Sequence, residues 1–503
     1  MQERLSPDPR TAPQHDVRLE TSRTPRTVPW LVILCVVFVA LQCLLVVPGT
    51  GLGWDESIYT SQVSRDLPTA FLSAPRARGI SYLVAPIAAF TSSATALRIY
   101  LAVLSGPGLF LALSAWRRLL PVGVLAAAGA LFSTLWITLY YAPQVMPNVW
   151  TAFGALAATG CFLRAAGDRT DRKALAGMAA GIAVVALMRP PDAVWLAVGL
   201  GILSLAVRRW RRPAILLVIL AGVVAGSLEW VVEAYTHYGG LSARLHRASE
   251  IQGGMGWHMA VDDQVRSLDG RVLCRPCDVP WRDPVTAVWW FLLPLVVAAG
   301  SVVAVRSRRA ATVVVPIVVA GAMAVPYLFL IDYAAPRFLL PTYALLALPA
   351  ADCLRRLVSG SAGRLRPLGA LAVVAVLTGH LAVQYGVLNR VTEGNRHMRR
   401  EYQKVAAQLH TLGLRPPCLI SGHMDVRISV YTGCVTRETA GADTSITPAG
   451  VVAAARRLPV GVMVAPHDRP PAYARSWREV TLTKSSRFRG HRVYLPPAQH
   501  RSR

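Results

Sequence analysis

The sequence predicts a mainly α-helical, polytopic membrane protein with about eleven transmembrane helices and a small exoplasmic α/β domain at its C-terminal end. Three observations predict it. Of 503 residues, 53% are hydrophobic and only 16% charged, and the mean hydropathy is +0.41; a soluble chain of this length does not carry that profile. Apolar runs of the length that crosses a bilayer, roughly 20 residues, recur from residue 28 to residue 390. The basic residues fall in clusters between those runs, and alternating the spans puts every strong cluster on one side.

The formal net charge of +26 is a poor sign of nucleic-acid binding, which the distribution argues against. Lysine occurs only at Lys173, Lys404 and Lys484, so the excess is almost all arginine, in short inter-span clusters. Such a distribution sets the orientation of a multi-spanning protein.

Taken in order, residues 1–27 are polar, carry Arg4, Arg10, Arg18, Arg23 and Arg26, and read as a disordered cytoplasmic tail. They do not read as a secretory signal, because the apolar run that follows is too long and no cleavage site ends it. The expected spans are Val28–Pro48, Ala96–Trp116, Pro121–Tyr141, Met146–Leu163, Ala174–Met188, Ala193–Val207, Pro213–Val232, Val285–Val305, Ala310–Ile331, Phe338–Cys353 and Pro367–Leu388. With the tail inside, Arg117-Arg118, Arg164 to Lys173, Arg208 to Arg212, Arg306 to Arg309 and Arg355 to Arg366 are also inside. The transmembrane domain then covers 28–390, with exoplasmic loops at 49–95 and 235–284. Within the first loop, Gly79–Ile87 is too short to span and suits an amphipathic helix lying in the interface.

Residues 391–503 change character. Helix-like Glu401–Leu412 and Pro448–Arg457 are interleaved with strand-like Cys418–Ser421, Val460–Ala465, Glu479–Leu482 and Arg492–Leu495, which reads as an exoplasmic α/β domain. Cys35, Cys43, Cys161 and Cys353 lie in apolar spans as small buried residues. Cys274 with Cys277, and Cys418 with Cys434, lie in exoplasmic segments where each pair can close a disulfide. Cys274-Arg-Pro-Cys277 also has the spacing of half a zinc or redox site, but no second CxxC or His pair accompanies it.

Charge within membrane spans is costly, so its placement is informative. Outside the cytoplasmic clusters it gathers at exoplasmic ends. Asp55 and Glu56 follow the first span, between Trp54 and Tyr59; Arg98 opens the second. Gln144 and Asn148 stand at the next turnaround, Arg189 and Asp192 at the one after, and Glu229 and Glu233 on one face of a later helix. Asp332 and Arg337 flank the last such turn. The economical explanation is one polar cavity, open to the outside and walled by helices. A transporter or flippase of lipid-linked saccharides, the alternative reading, would carry coupled ionisable groups nearer the midplane.

Three segments carry a family resemblance: Asp55-Glu56-Ser57-Ile58-Tyr59 directly after the first span, Ala96-Leu97-Arg98-Ile99-Tyr100-Leu101 opening the second, and Pro336-Arg337-Phe338-Leu339-Leu340-Pro341 late in the chain. In this order and topology the chain resembles the GT-C superfamily of membrane glycosyltransferases, in the branch of protein O-mannosyltransferases and aminoarabinose transferases. Asn148 departs from the pattern, standing where many relatives carry an acid. The resemblance implies a polyprenyl-phosphate-linked sugar donor, used at the outer face of the membrane, and a glycan, lipid or protein acceptor. By motif position Asp55 is the expected general base, with Glu56 holding the acceptor or orienting Asp55. Arg98, Arg337 and Arg189 are the expected ligands of the donor phosphate, since guanidinium groups hold phosphate in bidentate fashion. Tyr59, Asn148, Gln144 and Glu233 are expected to line the substrate site. The competing readings are that Arg98 and Arg189 snorkel, that Arg337 pairs with Asp332, and that the acids at 229 and 233 are solvated. Gly253–Trp257 reads either as a lid over the cavity or as a plain loop. This reading names no definite cofactor and leaves a divalent metal open.

Overall fold

The computed structural model describes residues 27–497 apart from 276, 279, 307, 308 and 361–365; the expected tail lies outside the described residues. The first apolar run forms α1 (Thr27–Leu41), extended by a π-turn at Gln42–Val46. A short helix α2 (Trp54–Ser61) follows, then α3 (Gly79–Ala88), the expected interfacial helix. The bundle continues as α4 (Ala94–Ser114), α5 (Val122–Ser133), α6 (Trp136–Tyr141), α7 (Asn148–Gly167), α8 (Arg172–Met188), α9 (Pro190–Ala206) and α10 (Pro213–His237). Two short helices, α11 (Leu241–Ile251) and α12 (Val261–Ser267), occupy the long loop. The remaining membrane helices are α13 (Val288–Arg306), α14 (Ala311–Phe329) and α15 (Leu340–Gly360), and α16 (Arg366–Thr411) closes the bundle. Among the described residues eight helices are long and apolar enough to cross a membrane, and shorter apolar ones sit beside them. Every expected span is mainly helical, one of them in two pieces, so the polytopic fold class holds.

Large apolar side chains point outward in helical register. Leu217, Leu220, Val224 and Leu228 form such a row along α10 and are all more than half exposed, which is tolerable only in a hydrocarbon solvent. The inward rows use small residues. A Cβ at Gly226 of α10 would come within 2.3 Å of the Ala183 carbonyl on α8, and one at Gly154 of α7 within 2.8 Å of the Gly181 carbonyl. Close backbone approach is how helices associate where no hydrophobic force acts between them.

Two differences from the expected elements have physical causes. The apolar run 121–141 is not one helix: Leu135 is extended (φ −60°, ψ 133°) and separates α5 from α6. The interrupted backbone is repaired locally, because Gln384 Oε1 on α16 accepts the Trp136 N–H at 2.8 Å. Secondly, Glu401–Leu412 is not a separate helix but the end of the 46-residue α16, which runs unbroken from the membrane into the C-terminal sheet.

That sheet has order β2-β1-β3-β5-β4. Strands β1 (Leu419–Gly422), β2 (Val435–Thr436) and β3 (Val460–Val464) are parallel; β5 (Arg492–Leu495) runs antiparallel between β3 and the edge strand β4 (Arg478–Thr481). Helices α17 (Asp425–Thr432) and α18 (Pro448–Ala455) serve the parallel crossovers. The end of α16 packs on one face through Tyr402, Val405 and Leu409. Both expected disulfides are formed, Cys274–Cys277 and Cys418–Cys434. The second ties the start of β1 to the start of β2.

Candidate functional site

The site begins at the cap of α2. Gly53 is the N-cap, and Glu56, three residues on, accepts its backbone N–H at 2.7 Å, a capping-box arrangement that fixes the first turn. Glu56 is 1% exposed and fully engaged. Arg98 of α4 grips both its oxygens at 3.1 and 3.0 Å, and the Val145 N–H donates to it at 3.0 Å. Arg98 also donates to the Gly51 carbonyl at 2.5 Å. This pair therefore locks the 51–56 loop, α4 and the loop before α7 to one another.

Asp55, in the same first turn, is differently placed. Its carboxylate lies between Arg76 (2.8 Å) and Arg337 (3.2 Å) and stays 29% exposed, so it remains reachable. Burial pushes its pKa up, but Arg76, Arg337 and the more distant Arg427 outweigh it and hold the carboxyl below its ordinary 3.8. Arg76 is in turn shared: its other arm reaches Asp443, from the loop between β2 and α18, at 2.8 Å. Asp443 also accepts the Trp54 indole N–H at 3.1 Å. Arg337 donates to the Val272 carbonyl at 2.8 Å and lies over the rings of Tyr141 and Phe338. The loop carrying Val272 is itself pinned, because Cys274 and Ala334 exchange backbone hydrogen bonds of 2.9 and 3.1 Å beside the Cys274–Cys277 disulfide.

Asp55 and Arg337 open onto a cavity of about 400 Å³. The bundle supplies one wall, including Gln144; the 269–273 loop and Arg282 supply another; α16 and α17 supply the rest through Asn395, Arg399, Tyr402, Arg427 and Tyr431. Asn395 holds the rim by accepting the Gly51 N–H at 2.6 Å.

Of the residues singled out from sequence, Asp55, Glu56, Gln144 and Arg337 line this cavity, and Arg98 stands directly behind Glu56. Arg337 pairs with Asp55 and not with Asp332. The others are elsewhere. Arg189 is engaged by Asp192 at 3.0 Å and by the Tyr327 hydroxyl at 2.7 Å, and Tyr327 donates in turn to Asp192. Tyr59 is buried one turn beyond Asp55, and burial pushes its phenol up to about 12. Asn148 begins α7, 1% exposed, with its side-chain oxygen unpartnered among the described residues. Glu233 sits in a separate ion cluster with Arg78 (2.7 Å) and Arg244 (2.8 Å), and Glu229 approaches Arg78 at 3.5 Å. The 253–257 segment does not line the cavity; the chain after it bonds back to the end of α14, with the His258 N–H donating to the Phe329 carbonyl at 2.9 Å. Among the described residues no group of three or more His, Cys, Asp or Glu is placed to hold a metal.

Sequence reasoning missed Arg76, Asp443 and the cationic wall from α16 and α17. Each is a single charge in a loop or on a mixed helix, and no periodicity marks it. The one available signal was local: Arg76 and Arg78 immediately precede the helix expected to lie in the interface.

No family profile and no curated protein matches the chain. Solved structures do. ArnT from Cupriavidus metallidurans bound to undecaprenyl phosphate superposes with a TM-score of 0.66 at 13% identity, covering 94% of this chain and 100% of that one. Its apo form gives 0.65 at the same identity and coverage. The oligosaccharyltransferase of Archaeoglobus fulgidus, tethered to an acceptor peptide containing the NVT sequon, gives 0.53 at 14% identity, covering 88% of this chain and 69% of that one. The chain is a multi-pass membrane protein with the GT-C fold of these glycosyltransferases.

Proposed function

We propose that this protein is a membrane glycosyltransferase, moving a sugar from a polyprenyl-phosphate-linked donor to an acceptor hydroxyl at the exoplasmic face. The observation that carries the reading is Asp55: an ionised, reachable carboxylate held between two arginines at the mouth of a cavity. The fold it shares with ArnT, solved with undecaprenyl phosphate, supports the lipid-linked donor. The arginine clusters support an N-terminus inside the cell and the cavity outside, and the two disulfides agree with an oxidising compartment on the cavity side. The transmembrane part is assigned to 28–390 and the soluble part to 391–503.

In the proposed reaction the acceptor oxygen attacks the anomeric carbon as the bond from that carbon to the phosphate oxygen breaks. Asp55 takes the acceptor's proton; its lowered pKa keeps it charged, and Asp443 draws off part of Arg76 and so limits how far its basicity is reduced. The phosphate leaves with the bonding electrons, and Arg337 stabilises the charge developing on it. Arg189 shares the Phe338 ring with Arg337, but its charge is balanced by Asp192, so it takes no direct part. Glu56 and Arg98 take a different part. Both Glu56 oxygens and both terminal nitrogens of Arg98 are engaged with each other and with backbone, so the pair positions the Asp55 turn and leaves the phosphate to others. Gln144 is the remaining substrate-facing residue of those singled out; Tyr59, Asn148 and Glu233 act at most through packing.

The test is consumption of donor. Purified protein in nanodiscs is incubated with a panel of radiolabelled polyprenyl-phosphate sugars and a membrane extract as acceptor source. One donor should lose its label to a new product. Movement of an intact lipid-linked sugar across the bilayer, with no bond broken, would replace this reading with the flippase.

A further inference from the structure

The end of the bundle away from the cavity carries a second concentration of charge. Helix α7 starts beside the Glu56–Arg98 pair, and its 20 residues carry the chain about 30 Å from it. Three loops meet at that end: 117–120, 164–173 and 207–212. Together they hold ten lysines and arginines and only two acids. Both acids are taken. Asp171 caps α8 and is gripped by Arg164 at 2.7 Å, with Arg118 at 3.6 Å; Asp168 accepts the backbone N–H and the hydroxyl of Thr170. Arg169, Arg172, Lys173, Arg208 and Arg209 are exposed, and none has a carboxylate within ion-pair distance among the described residues.

The loops form one joined surface. Arg212 donates to the Ala165 and Arg169 carbonyls and so staples the third loop to the second. Trp210 is buried edge-on against Phe162, ring centroids 5.7 Å apart, and the Arg209 guanidinium lies 5.5 Å over the Trp210 ring. Orienting the chain in a membrane needs only charge in each loop and no such joint. Nor does it account for the start of α8, where Arg172 and Lys173 stand against the positive end of the helix dipole. An anion docked there would offset that cost. The adjoining ends of α9 and α10 turn Ile202, Leu205, Leu217 and Leu220 outward, each more than half exposed. A soluble anion would meet the cations alone, whereas a phospholipid meets the cations and the apolar rows together.

We propose that this end of the molecule docks anionic phospholipid from the leaflet opposite the cavity. The head-group phosphate sits among Arg169, Arg172, Arg208 and Arg209, and the acyl chains lie along the outward rows of α9 and α10. The site owes nothing to the glycosyltransferase reading, and its test involves no transfer. Full-length protein in detergent is given equimolar phosphatidylglycerol and phosphatidylcholine, and native mass spectrometry counts the lipids retained. Phosphatidylglycerol should be retained at least about tenfold over phosphatidylcholine, since each cation near a membrane surface contributes roughly fivefold. Arg169→Gln with Arg172→Gln and Arg208→Gln should bring the two lipids close to parity. Removing the same charge from the soluble domain, by Arg456→Gln with Arg475→Gln and Arg478→Gln, should leave the preference in place. Pyrophosphate at the lipid's concentration should not displace phosphatidylglycerol. Equal retention of the two lipids by the parent protein overturns the proposal, as does an undiminished preference in the folded triple variant. Displacement by pyrophosphate would also overturn it, in favour of a site for a free anion. All three replaced side chains are exposed, so the fold should survive; should it not, Arg208→Gln alone must lower the preference by about fivefold.

Discussion

Replacing Asp55 with Asn keeps the size of the side chain and removes both the base and the charge. Two consequences can be separated. Arg76 retains Asp443 at 2.8 Å, whereas Arg337 is left with the Val272 carbonyl and the Tyr141 hydroxyl, both neutral. The stability cost thus falls on one arginine. It should be about 1.5–3 kcal/mol, the range for a hydrogen bond to a charged group, and toward the lower end because Asp55 is 29% exposed. The catalytic cost is larger: loss of a positioned base removes roughly 10²–10⁴-fold in rate, or about 3–5 kcal/mol of barrier. The assay is initial-rate transfer of radiolabel at saturating donor, normalised to the folded fraction from thermal unfolding in the same detergent. Asp55→Glu, which keeps the charge, should retain more activity than Asp55→Asn. A folded Asp55→Asn protein with kcat within about threefold of the parent would refute Asp55 as the base.

Three further outcomes follow from the same geometry. Arg98→Leu should destabilise the fold by about 3–5 kcal/mol by stranding buried Glu56, and adding Glu56→Leu should recover much of the loss, both read by thermal unfolding. Asp443→Asn should lower kcat by about tenfold with little change in donor KM, because Arg76 then turns wholly onto Asp55 and makes it a weaker base. Stability should depend on pH in two windows. Asp55 has a lowered folded pKa, so its contribution is full above the ordinary 3.8 and is lost as pH falls through the folded value. Burial, and the close approach of the two carboxyls to each other, raise Asp425 and Glu438 as a pair above the ordinary carboxylate range, so the folded domain keeps protons that the unfolded chain has released. Stability should therefore fall as pH rises above the ordinary 4.5 and through the raised range of the pair, and Asp425→Asn with Glu438→Gln should flatten that slope.

The membrane fold was legible because lipid imposes a crude rule: a spanning segment must be apolar along its length, and composition reveals that directly. The same rule hid the break at Leu135, where both halves of the run are equally apolar and the repair comes from Gln384, far away in sequence. It also hid the continuity of α16, since the change to polar residues near Asn389 marks the end of the membrane and not the end of the helix. At the site, sequence placed charges at the correct depth but could not tell which charge meets which. Arg98 and Arg337 look alike in one dimension, each an arginine opening an apolar segment. In three dimensions one is consumed by Glu56 and the other is turned toward Asp55 and the cavity. Asp443 was invisible because it reaches Arg76 from a different layer of the molecule, across 367 residues of chain.

The central claim is that Asp55 and Arg337 face the two ends of one breaking bond. A cryo-EM map of the protein in nanodiscs with a non-transferable polyprenyl-phosphate sugar tests it most directly. The account predicts phosphate density within hydrogen-bond reach of Arg337, with the anomeric carbon turned toward Asp55 across the cavity. Phosphate density on the Glu233–Arg244 cluster instead, or a sugar with Asp55 out of reach, would contradict it.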